Sequence, residues 1–162
     1  SVSELVINRR NFDETGNSFK LIYDSPRDAA RTYEYRYVWS FFGGGGVEEA
    51  WRAGSASALS ASPPYRLHQV VLDADPQALQ AAQVQAVTVK LFCTVGGVER
   101  MEQLTLNVSR GQASGNIECL LPADGYDYAY EMTWRLAGNR TVSSGRRSST
   151  DALLRLDDLP SD

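Results

Sequence analysis

Hydrophobic and polar positions alternate along much of the chain. From Tyr33 it reads Tyr33-Glu34-Tyr35-Arg36-Tyr37-Val38-Trp39-Ser40-Phe41, with a ring at every odd position and mostly polar residues between. A period of two sends successive side chains to opposite faces of a sheet, and aromatic residues suit a pleated, half-buried surface. The run therefore predicts a strand whose aromatic face is a sandwich core. Tyr126 to Leu136 repeats the pattern with its large residues on even positions. Further strands are expected at Glu4–Asn8, Phe19–Asp24, Val47–Arg52, Ala58–Ala61, Arg66–Asp73, Val84–Thr94, Glu99–Val108, Asn116–Leu121, Thr141–Ser144 and Ala152–Leu156. Turn residues separate them, among them Gly43 to Gly46, Pro63-Pro64, Gly96-Gly97, Asp124-Gly125 and Gly138-Asn139. Asp75-Pro76 followed by Ala, Leu and Gln predicts one short helix over Pro76–Gln85.

The two aromatic runs align at an offset of 95 residues: Tyr33 with Tyr128, Tyr35 with Tyr130 and Trp39 with Trp134. Upstream, Glu4 to Asn8 resembles Gln103 to Asn107, and Leu21 to Pro26 resembles Glu118 to Pro122. An internal repeat in this order implies two copies of one structural unit. Residues 65–162 hold seven expected strands, which suits an all-β, antiparallel sandwich of the immunoglobulin or fibronectin kind. Residues 1–62 make a related, partial unit that starts where the second unit's third strand starts. The expectation is that the missing strands lie upstream of Ser1 in a longer parent protein built from such units.

Composition narrows the function more than the fold. The chain has 162 residues, 43% hydrophobic and 22% charged, which is a globular balance. Net charge is −4 and no basic run exceeds two residues, so nucleic acid is a poor partner. No apolar run approaches the ~20 residues of a spanning helix, so no membrane insertion is expected. The basic residues are 14 Arg and two Lys, a bias that fits a GC-rich bacterial source.

Candidate chemistry is sparse. His68 is the one histidine, so the usual zinc and Ser-His-Asp sets lack parts, and neither a metal nor another cofactor is implied. The Gly43 to Gly46 run precedes Val47-Glu48-Glu49 rather than a Lys-Ser pair and a helix, which reads as a flexible hairpin connection rather than a phosphate cradle. Asp73-Ala74-Asp75 has too few ligands for a calcium loop. Cys93 and Cys119 fall on the apolar side of alternating strands and read either as two buried thiols or as a disulfide. An exported or cell-surface setting, slightly preferred to the cytosol, would favour the bridge. Trp51 lies outside the repeated pattern, because its counterpart is Arg146. With Glu49 and Arg52 beside it near the glycine run, it is the candidate ligand contact.

The stretch Leu121-Pro122-Ala123-Asp124-Gly125-Tyr126-Asp127-Tyr128, with Gly138-Asn139-Arg140 after it, resembles starch-binding modules over about twenty residues. The basic residue of their aromatic strand and the Trp before Asn-Arg are missing here, so no binding residue carries over. The expectation is a non-catalytic interaction or spacer module of a larger protein. Its partner would be another protein or other units of its own chain, met through exposed strand edges and loop ends. A carbohydrate-binding module using Trp51 is the alternative.

Overall fold

The computed structural model describes residues 2–8, 10–11, 18–22 and 32–160. Its strands are β1 (Tyr33–Tyr35), β2 (Val38–Ser40), β3 (Gly46–Glu48), β4 (Arg52–Gly54), β5 (Tyr65–Asp73), β6 (Val84–Val95), β7 (Val98–Leu106), β8 (Ser114–Pro122), β9 (Tyr128–Leu136), β10 (Thr141–Ser143), β11 (Arg147–Ser149) and β12 (Leu153–Arg155), and α1 spans Pro76–Ala81. The chain divides into two compact units, residues 1–36 with 51–59, and residues 37–50 with 60–162.

Two sheets carry the larger unit. One has the order β10-β9-β6-β7, with β11 also on β9, and the other the order β12-β5-β8. Pairing in both is antiparallel except that β12 runs parallel to β5. The inward rows are Val87, Val89, Leu91 and Cys93 from β6, Tyr128, Met132, Trp134 and Leu136 from β9, and Val70, Leu72, Ile117, Cys119, Leu121 and Leu154 from the facing sheet. Each fully buried aliphatic side chain there contributes roughly 1.5–3 kcal/mol. The larger unit is thus a mostly-β sandwich, in keeping with the period-two pattern.

Local chemistry sets the joints. Asp75 caps α1 by accepting from the Gln77 N–H at 2.9 Å, and Pro76 opens the first turn. Gln83, at φ 57°, ends the turn after α1, so the expected helix stops short of Gln85 and Val84 begins β6. Gly96 and Gly97, both at positive φ, form the two-residue turn between β6 and β7.

Several expected strands differ. Glu4 to Asn8, Phe19 to Ile22 and Ala58 to Ala61 are irregular, while Tyr23 and Asp24 lie outside the described residues. Val47–Arg52 is not one strand, because the chain leaves β3 at Glu49 and enters β4 at Arg52. The strand at Arg147–Ser149 was not expected from alternation. It is three residues long and polar, and its pairing with β9 defines it. The aromatic stripes also part company. Tyr128, Met132 and Trp134 are buried, whereas Tyr33, Tyr35, Tyr37, Trp39 and Phe41 are half-buried and outside the main core. Their run breaks at Arg36–Tyr37 into two short strands, β1 and β2, rather than forming one strand.

Two registers coincide at the offset of the sequence repeat. In the smaller unit β1 pairs with β4 as Tyr33↔Gly54 and Tyr35↔Arg52; in the larger unit β9 pairs with β11 as Tyr128↔Ser149 and Tyr130↔Arg147, each residue 95 positions on. In the larger unit, β2 and β3 pair as Trp39↔Val47, matching Trp134↔Val142 between β9 and β10. Tyr33 Oη donates to the Ala56 carbonyl and Tyr128 Oη to that of Asp151, again at the same offset.

Candidate functional site

Of the three residues singled out by sequence, Trp51 and Arg52 belong to the smaller unit and Glu49 to the larger. Trp51 is 54% exposed, with the Arg36 guanidinium 4.9 Å from its ring centroid. Arg52 lies on β4 opposite Tyr35. Glu49 accepts from the Trp39 indole Nε1 at 2.7 Å, and its N–H reaches the Tyr37 carbonyl at 2.9 Å. Glu49 therefore anchors a neighbouring indole through a charge-assisted bond, and Trp51 is the most accessible of the three tryptophans.

One surface feature was located by sequence reasoning only in general terms, as exposed strand edges. β7 and β8 are the edge strands of their sheets, each nine residues long, and no described strand pairs with the outer edge of either. Between them runs a groove of about 460 Å³ lined by Leu67, Glu102, Leu104, Asn116, Ile117 and Glu118, with Gln103. Register explains its shape. Leu106, Leu104, Glu102 and Arg100 sit opposite Val87, Val89, Leu91 and Cys93, so all four face the inner side of β7. At one end Leu104 and Leu106 close over Gly115, where a Cβ would come within 2.9 Å of Leu104. At the other end the inward row turns charged, and the sandwich stays open. The signal was in the sequence: the alternating row Leu106, Leu104 loses its apolar character at Glu102 and Arg100, which marks an edge strand carrying inward-pointing charges.

Behind that open end, a cavity of about 90 Å³ is lined by Cys93 and Cys119 together with Val95, Arg100, Glu102 and Leu120. Cys93 projects from β6 and Cys119 from β8, one from each sheet, and both are buried free thiols. Each thiol is the main influence on the other, raising Cys93 well above its usual range and lowering Cys119. Burial opposes ionisation of both, as does the Glu102 carboxylate, while Arg66 favours the Cys119 thiolate.

His68 sits across the strand pair from Cys119 and is 7% exposed. Arg66 Nη1 lies 3.4 Å from its Nδ1, and because guanidinium only donates, Nδ1 accepts and the proton resides on Nε2. That buried Nε2 has no hydrogen-bond partner. Burial, and then the Arg66 charge, push the imidazole below its usual range, so it is neutral near pH 7. Arg66 also donates to the Gly125 carbonyl at 2.9 Å and stacks 4.4 Å from the centroid of the exposed Tyr126 ring.

Among the described residues, no group of three or more His, Cys, Asp or Glu is placed to hold a metal ion, and no helix is long and apolar enough to cross a membrane. No protein-family model matches the sequence, and no similar curated protein is found.

Proposed function

We propose that this chain is a non-catalytic β-sandwich interaction module of a larger bacterial protein, and that its open β7–β8 edge takes an extended, cationic segment of a partner protein. The supporting observation is the groove. Two nine-residue edges flank a channel with apolar walls at Leu67, Leu104 and Ile117 and carboxylates at Glu102 and Glu118. An added strand would gain main-chain hydrogen bonds from an edge, apolar burial from the walls, and register from the two acidic positions. The related-units reading is part of this proposal. It is supported by the coincident registers of β1–β4 with β9–β11 and of β2–β3 with β9–β10, which three-residue strands would not share by composition alone. Two immunoglobulin-like or fibronectin-like units in one chain fit a tandem arrangement.

The test uses synthetic nine-residue strand peptides that alternate Val with Lys or Val with Glu. Binding of the Lys peptide with slowed amide exchange confined to β7 and β8, and loss of binding by more than tenfold in Glu102→Lys/Glu118→Lys, is the expected result. Equal binding of both peptides, or protection elsewhere on the sandwich, overturns the assignment.

A second reading rests on Trp51. Its half-exposed ring could stack on a sugar face, as in a carbohydrate-binding module. Soluble glycans that shift Trp51 fluorescence and lose their effect in Trp51→Ala would favour it; an unchanged signal removes it.

A further inference from the structure

We infer that Cys93 and Cys119 form a peroxide-responsive dithiol that closes into a disulfide joining the two sheets of the sandwich. Three observations place the reaction there, and none depends on the interaction role proposed above. The thiols come from opposite sheets, β6 and β8, and both face the sandwich interior at the same small cavity, so bridging joins two groups that already share one space. Both sulfurs line a cavity of about 90 Å³, room for a small oxidant beside two otherwise buried groups. The cavity lies where Arg100 and Glu102 replace apolar side chains on the inner row of β7, which keeps this end of the sandwich open to solvent.

The chemistry divides the pair. Cys119 is the more acidic of the pair, favoured by the neighbouring Cys93 thiol and by the Arg66 charge, and loses its proton first, so its thiolate attacks one oxygen of hydrogen peroxide. The O–O bond breaks, hydroxide leaves and takes up a proton, and Cys119 becomes a sulfenic acid. The Cys93 sulfur then attacks the Cys119 sulfur, the S–O bond breaks, and the Cys93 proton leaves with the hydroxyl as water. In sum, two thiols and one peroxide give one disulfide and two waters. The loop so closed, residues 93–119, contains β7, and oxidation fastens β6, the strand next to that open edge, to β8, the edge strand of the other sheet.

The experiment is intact-mass and peptide-mapping analysis of the native protein after hydrogen peroxide treatment. The expected product has lost two hydrogens, with Cys93 and Cys119 in one cross-linked peptide pair. It melts about 10 °C higher than the reduced protein, and the gain is reversed by dithiothreitol. In Cys93→Ala the reaction stops at a Cys119 sulfenic acid that dimedone traps. If the folded wild-type chain gives only over-oxidised separate cysteines, or cross-links only once urea is added, or melts lower when cross-linked, the inference is overturned. The wild-type measurement decides the matter even if the variant does not fold.

Discussion

The backbone of Gly45 packs so closely on Val95 that a Cβ at Gly45 would collide with the Val95 carbonyl oxygen. Gly45 also holds φ at +84°, a region L side chains avoid. The tetraglycine run is therefore the close-packed tip of the β2–β3 hairpin, seated on the β6–β7 turn, rather than the loose connection read from its sequence. Gly46 N–H points to the Gly96 carbonyl, Arg100 Nη2 donates to the Gly44 carbonyl at 2.6 Å, and Phe41 meets Tyr65 edge-on at 5.0 Å. Gly45→Ala should release the tip, destabilising it by about 1–3 kcal/mol and speeding amide exchange at Phe41 and Gly46. Gly44→Ala, with open space around its Cβ, should lose only about 1 kcal/mol through φ alone. Native-state hydrogen exchange of the two variants separates packing from backbone strain; equal effects would refute the packing account.

The two repeat-related tryptophans predict opposite behaviour from Trp51. Trp134 is 1% exposed, and its Nε1 donates to the Leu156 carbonyl at 2.6 Å, tying β9 to the end of β12. Trp134→Phe leaves that carbonyl without its donor and opens a small void, so unfolding in urea should show a loss of about 2–4 kcal/mol. Trp51→Phe should change stability by less than about 1 kcal/mol, since the ring is more than half exposed and its Arg36 contact is a surface cation–π pair. Acrylamide should quench Trp51 freely and leave Trp134 untouched, with the Glu49-bonded Trp39 between them.

How much of this was legible in the sequence depends on which force shaped each part. β5, β6, β8 and β9 are long and bury one face, so alternation alone marked them, and Asp75-Pro76 marked the start of α1. β11 and β4 are short and polar on their surfaces, and pairing rather than burial defines them, so no periodicity revealed them. The Tyr33 to Phe41 run looked like core because its pattern equals that of β9. A pattern states which side chains share a face, not what covers that face. Trp51 has an exposed ring, while Glu49 is the acceptor for Trp39. The groove was missed because it arises from two strands on different sheets, though the charged inner positions Arg100 and Glu102 announced that the core ends there.

His68 should make stability fall on acidification. Its folded-state pKa is depressed, by burial first and by Arg66 second, while the unfolded chain titrates near its ordinary value of 6.5. Above pH 6.5 both states are neutral at this site and its contribution is complete. As pH falls through 6.5 the unfolded chain takes up a proton that the folded chain refuses, so stability is lost until the lower folded pKa is passed. The groups facing the ring are Arg66, Tyr126 and Tyr128, none of which offers an acceptor to Nε2. His68→Phe removes the titration and the unpartnered N–H together. It should lie within about 1 kcal/mol of wild type at pH 7.5 and overtake it at pH 5 in urea unfolding. A wild-type midpoint that is flat over this range would exclude the linkage.

Glu102 should restrain the reactivity of the thiol pair. Each thiol acts most strongly on the ionisation of the other, and burial follows; Glu102 adds a repulsion that disfavours either thiolate, while Arg66 acts the opposite way on Cys119. Glu102→Gln should therefore speed labelling by a small reagent such as methyl methanethiosulfonate, by roughly two- to fivefold at pH 8, and move the midpoint of the rate–pH profile to lower pH. Arg66→Met should slow labelling at Cys119 and move the midpoint upward. Because Glu102 also lines the cavity, a faster rate alone could come from easier entry, so the midpoint is the decisive reading. A variant that labels faster with an unmoved midpoint would show that Glu102 guards access rather than charge.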